Sequence, residues 1–342
     1  MSPAREPSHD SPDAGRATVA TVVQTVGGPV PADELGFTLV HEHVACASAG
    51  VVQAWPSLYG GRAALVERAV AVLARAREDG VGTIVDATPF DLGRDISLLA
   101  ECSARSGVRI IASSGHWLFP SPTMANRTTA QIADLFITEL SQGADGTAIR
   151  AGILKVASEE AIEPFDRRVL EAAAKAHHAT GAPILTHAAA RNRIGGLQAA
   201  ILEELGVDPA RVVIGHSDDT SDMRYITGLA DRGYFIGMDR IPCGALPEYG
   251  TQSVADRLRM IADLVAAGYA NRLVLAHDDP IWAGLLTDED QRRHLEANPD
   301  VISFIPRIAL PGLRRLGVDE KAIRQMTVDN PRAWLGGSHG QV

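Results

Sequence analysis

A chain of 342 residues, with 46% hydrophobic and 22% charged side chains, is composed like a folded globular protein and unlike a collagenous or disordered one. Asp and Glu number 42 against 32 Lys and Arg, a net charge of −10, so nucleic acid and anionic membrane surfaces are excluded as expected partners because both would repel it. No apolar run reaches the roughly 18 residues of a spanning helix. Three scattered cysteines, Cys46, Cys102 and Cys243, fit a reducing compartment better than a disulfide framework.

Residues 1–16 carry no apolar segment of the secretory kind, so a disordered tail on a cytoplasmic protein is expected. Residues 17–342 are expected to form a single domain. Its first element is a hairpin in TVVQTVGGPVPADELG, with Gly27-Gly28 at the turn. Eight short apolar or β-branched runs then follow: FTLV (37–40), TIVDA (83–87), VRIIAS (108–113), AGILKV (151–156), APILT (182–186), RVVIG (211–215), YFIGM (234–238) and RLVLA (272–276).

Between these runs lie stretches with apolar residues three or four apart, such as ALVERAVAVLARARE, TAQIADLFITEL and RLRMIADLVAA. Gly80, Gly107, Gly181, Gly206 and Gly233 stand where left-handed caps would end five of them. Two further helical stretches, ISFIPRIALPGLRRLG and DEKAIRQMTV, close the chain. Eight strand–helix pairs predict an α/β fold, a (β/α)8 TIM barrel, with long seventh and eighth βα loops. An open doubly wound sheet would want a glycine-rich phosphate turn after its first strand, and FTLV is followed by none.

In such a barrel the chemistry sits at the carboxyl ends of the strands. His41 and His43 follow the first run as H-x-H, on one side of the strand. Lys155 falls in the fourth run, and His187, His216 and Asp278 follow the fifth, sixth and eighth. Taken singly, a strand-end histidine is more often a hydrogen-bonded structural group, Asp278 a helix cap, and Lys155 the partner of a carboxylate. Taken together, four imidazoles and a carboxylate suit a borderline divalent ion such as zinc. Burial and nearby cations would discharge Lys155, and its neutral amine could add carbon dioxide to become an anionic bridging carbamate.

These residues, with the strings FTLVHEH, SAG followed by AWP, FDLGRDISLLAE, IRAGILKVA, GHSDDT and YFIGMDRIP, resemble the phosphotriesterase family of the amidohydrolase superfamily from about Val23 to Trp334. The resemblance extends to bacterial phosphotriesterases and to phosphotriesterase-like lactonases. It implies two divalent ions, zinc first and cobalt or manganese as alternatives. His41, His43 and Asp278 would hold one ion, His187 and His216 the other, and carboxylated Lys155 would bridge them. A bridging hydroxide would attack phosphorus or carbonyl carbon, Asp278 would accept its proton, and Asp219 would pass the proton outward. A homodimer is also implied.

The pocket mixes two branches of the family. Trp117 matches the aromatic wall of phosphotriesterases, whereas Arg240 matches the D-R pattern of lactonases. Cys243 replaces a second pocket histidine, and His277 and Asp279 flank Asp278, where Asp279 is expected to add negative charge near the pocket. Trp282 is expected to pack a pocket wall. The segment from Arg240 to Ala255 looks shorter than its counterpart in phosphotriesterases, which would leave the pocket more open. Among the other histidines, His116 is open to a pocket or an exposed-loop reading. His177 and His178 are expected near the surface, and His9, His294 and His339 in solvent.

The expected function is thus binuclear metal-dependent hydrolysis of small neutral phosphotriesters. Lactone or carboxyl ester hydrolysis is the alternative. A non-catalytic ligand-binding protein on the same fold is the reading of another class, against which stands the complete ligand set.

Overall fold

The structure, a computed structural model, describes residues 21–242 and 252–337. The expected tail, Cys243, most of the seventh loop, His9 and His339 lie outside the described residues. Strands β1 (Val22–Thr25) and β2 (Gly28–Pro31) form the expected hairpin, paired antiparallel with Thr25 opposite Gly28.

The eight apolar runs become eight parallel strands. They are β3 (Phe37–Glu42), β4 (Val81–Asp86), β5 (Arg109–Gly115), β6 (Ile153–Ser158), β7 (Ile184–Ala188), β8 (Val212–Ile214), β9 (Phe235–Met238) and β10 (Leu273–Leu275). They pair in chain order from β3 to β10. The seam between the first and the last is bridged where Asp278 N–H donates to His41 O (3.0 Å) and Ile281 N–H to His43 O (3.0 Å). The chain therefore folds as the predicted (β/α)8 barrel. Strands such as ILTHA are buried throughout because helices cover the outer face and side chains fill the inner one.

The predicted helices form between the strands, for example Arg62–Glu78, Thr129–Ser141, Pro164–Thr180 and Val254–Ala266. Gly107 and Gly181 cap two of them with φ of +73° and +72°, a conformation only glycine adopts cheaply. The closing helical section departs from a plain α-helix, since Ile305–Ala309 and Gln325–Asp329 are π-helical turns. No helix among the described residues is long and apolar enough to cross a membrane.

Each barrel strand gives one residue to an inner apolar layer: Val40, Val85, Ile111, Ile153, Leu185, Val213, Phe235 and Val274. Val23, Leu35 and the fully buried Trp334 join this layer. Side chains repeat on one face of a strand every second residue. Two steps beyond Ile153 and Leu185 come Lys155 and His187, and four beyond Phe235 and Val274 come Asp239 and Asp278. The apolar floor thus carries a polar storey directly above it. On β3 simple alternation from Val40 would miss His41, but the pairing of β3 with β4 shifts register between Leu39 and Glu42.

Candidate metal centre

The six expected donors converge above the apolar layer. Lys155 Nζ lies 2.8 Å from His41 Nε2, and His43 Nε2 lies 3.1 Å from Asp278 Oδ1. His41 Nε2 is 3.4 Å from that same oxygen, and His216 Nε2 is 3.8 Å from Asp278 Oδ2. His187 Nδ1 faces His216 Nε2 at 2.8 Å. His41, His43 and Asp278 form one candidate metal-binding group.

The remaining ring nitrogen of every histidine is held from outside the cluster. His41 Nδ1 lies 2.8 Å from Asp239 Oδ2, His43 Nδ1 2.8 Å from Thr88 Oγ1, and His187 Nε2 2.6 Å from Glu159 Oε2. His216 Nδ1 lies 3.2 Å from Asp239 Oδ1. Rings so anchored turn one nitrogen inward, which is how outer partners orient metal-binding histidines. The donor set therefore fits divalent cations.

Electrostatics point the same way. Burial lowers Lys155 to about 8, which favours the neutral amine. Burial, then the nearby Lys155, lowers His41 to about 4, so its imidazole is neutral and able to ligate. Burial also pulls His187 and His216 below their ordinary value. Burial alone would raise Asp278, but His41, His216, His43 and Arg240 outweigh it and hold the carboxyl well below the usual carboxylate range. His216 (φ +55°) and Asp278 (φ +51°) both sit in the left-handed region, a strain that clusters at functional sites.

Arg240 reaches across the mouth, with Nε 3.0 Å from Asp278 Oδ2 and Nη1 2.8 Å from Asp219 Oδ2. Behind it the fully buried Arg257 pairs with Asp218 (2.6 Å) and Asp219 (2.7 Å). Trp117 is half-buried and meets the His187 ring edge-on at 6.2 Å, on the His187–His216 side of the cluster.

The sequence pattern of the phosphotriesterase family matches residues 21–335. This chain belongs to the phosphotriesterase family. An aryldialkylphosphatase of Saccharolobus solfataricus is 35% identical to it over 312 residues, covering 90% of this chain and 96% of that protein. A phosphotriesterase homology protein of Mycobacterium tuberculosis is 34% identical over 328 residues (91% and 96%). An N-acetyltaurine hydrolase of Salmo salar is 28% identical over 348 residues (92% and 97%). The family members named here include hydrolases of different bonds, and this chain is a hydrolase. The alternative of a non-catalytic binding protein gives way, since the vertebrate relative also bears a hydrolase name.

Several expectations for individual residues are corrected by the fold of this phosphotriesterase-family chain. His277 is fully buried, with Nδ1 2.6 Å from Glu42 Oε1 and Nε2 accepting from Ile305 N–H at 3.0 Å. Both of its ring nitrogens are therefore engaged inside the wall, and neither is offered to a substrate. Asp279 is turned to Asn298 (2.7 Å) and His294 (3.7 Å), so its charge is not the one that faces the pocket. Trp282 is buried with its ring against Tyr59 of the first βα loop, 5.2 Å between centroids.

His294 is buried instead of solvated, because its helix Asp288–Ala297 turns it inward towards Asp279. His177 is buried against Ala182 O, while His178 is exposed and bonded to Leu205 O. His116 is not on an exposed loop, being enclosed between the rings of Phe90 and Phe165.

Three supporting residues escaped the reading of the sequence: Asp239, Thr88 and Glu159. Asp239 had a visible signal, since it directly follows β9 as a strand-end acid. Thr88 and Glu159 had none, because threonine and glutamate at loop starts are common and only their contacts single them out.

Proposed function

We propose that this chain is a binuclear metal-dependent hydrolase of small neutral phosphotriesters. Zinc is the ion that the mixture of imidazole and carboxylate favours, with cobalt or manganese as substitutes. His41, His43 and Asp278 would hold one ion and His187 and His216 the other, with a carboxylated Lys155 between them. The observation that carries the reading is the convergence of these six side chains, every histidine pinned from behind. When bound, the ions supply Lewis acidity towards the substrate oxygen and a water ionised near neutral pH.

The chain's own groups do the rest. Asp278 stays ionised in spite of burial, so it can take up the proton released as water adds. Arg240 carries a guanidinium that does not deprotonate, so it orients Asp278 and Asp219 and does not relay a proton between them. Asp219 is thereby a positioning partner of Arg240 as well as an outward acceptor. The face of Trp117 gives an aryl leaving group an apolar surface beside His187.

A second reading, hydrolysis of lactones or carboxyl esters, is favoured by Arg240, which matches the D-R pattern of lactonases and makes two ion pairs across the site. Turnover of an aryl dialkyl phosphate compared with an acyl-homoserine lactone by the zinc-reconstituted protein separates them. Preference for the phosphotriester is expected. A several-hundredfold preference for the lactone would reverse the order.

A further inference from the structure

Asp239 is fully buried at the end of β9 and accepts three hydrogen bonds. His41 Nδ1 reaches its Oδ2 at 2.8 Å, and His216 reaches its Oδ1 with both the backbone N–H (2.6 Å) and Nδ1 (3.2 Å). These rings belong to different halves of the proposed centre, His41 to one ion and His216 to the other. Their centroids lie 5.0 Å apart, stacked, with the inner nitrogens directed to Lys155 and to His187.

The space for this carboxylate is cut into two neighbouring strands. A Cβ on Gly237 would come within 2.7 Å of Asp239 Oδ2, and one on Gly215 within 3.1 Å of the same oxygen and 2.1 Å of Thr186 O. Burial would raise the carboxyl, yet the two histidines outweigh that and keep it well below its ordinary value. The other two outer partners serve one ring each: Thr88 holds His43, and Glu159 holds His187.

We infer that Asp239 is a positioning residue common to both ion positions, fixing His41 and His216 as Nδ1–H tautomers so that one carboxylate presents an Nε2 ligand to each ion. Three protons converge on the carboxylate, so the cluster of His41, His216 and Asp239 is a hydrogen-bonded brace and not itself an ion site, although its atoms lie close enough to suggest one. The inference rests on the binuclear reading above.

Calorimetric zinc titration of the metal-stripped protein in bicarbonate buffer tests it. The wild-type chain is expected to take up two ions. Asp239→Asn should weaken both by about 10–100-fold, because an amide has one acceptor atom and cannot receive both rings. Thr88→Val and Glu159→Gln should each weaken one ion and leave the other. Wild-type uptake of two ions with only one weakened in Asp239→Asn would overturn the shared role while leaving the binuclear reading intact. Uptake of fewer than two ions by the wild type would overturn both. Nitrogen-15 NMR of the stripped wild-type protein needs no variant, and it should show protonated Nδ1 on His41 and His216. An unprotonated Nδ1 on either ring would refute the brace.

Discussion

Burial works against the charge of both Lys155 and Asp278, but their neighbours differ, and both results suit one chemistry. The amine loses its charge at about 8, which is the state that can add carbon dioxide, while the carboxyl keeps its charge because imidazoles and a guanidinium face it. Lys155→Ala should abolish hydrolysis, with partial recovery on adding short-chain carboxylic acids. Full activity of that variant without additive would remove the bridge. Asp278→Ala should cost roughly 10²–10⁴-fold in kcat, as expected for a lost general base, and Asp219→Ala less. A milder effect at Asp278 would withdraw its role as proton acceptor. Arg240→His should raise the ratio of phosphotriester to lactone turnover, and an unchanged ratio in the paired assays would dissociate Arg240 from specificity.

Glycine lets two strands pair beside a residue of the site. At Gly115 (φ +114°) an added Cβ would stand 1.9 Å from Lys155 O, so β5 and β6 can pair at Lys155 only around a bare backbone. Gly115→Ala should therefore lose about 2 kcal/mol or more in denaturant unfolding, from backbone strain and displacement of β6. A midpoint within error of wild type would refute the close approach. The strands themselves were readable from their apolar runs, and so was the placement of Lys155, His187, His216 and Asp278 on or just beyond them. The irregularity in β3 that turns His41 and His43 inward was not, because it arises from pairing with β4 and leaves no mark on local composition.

Across the whole molecule, the proposed centre ties together positions that are 237 residues apart in the chain, from His41 to Asp278, and it lies beside the seam where β3 meets the end of β10. Ions bound there would favour the folded state by mass action, about 2.7 kcal/mol at a free concentration one hundred times Kd. Chelation should lower Tm by several degrees, and zinc should restore it. Identical melting of stripped and loaded protein would argue against a structural tie at the seam.

The amino-acid sequence by itself determined the alternation of strand and helix, the barrel, and the strand-end placement of the six candidate donors, because hydrophobic period and strand-end polarity are local properties written in neighbouring residues. Tertiary structure decided what stands behind those donors. Asp239, Thr88 and Glu159 became visible as outer partners, and His277, Asp279, Trp282 and His294 turned into the packing, because each of these outcomes is set by contacts between separate elements and not by neighbouring residues.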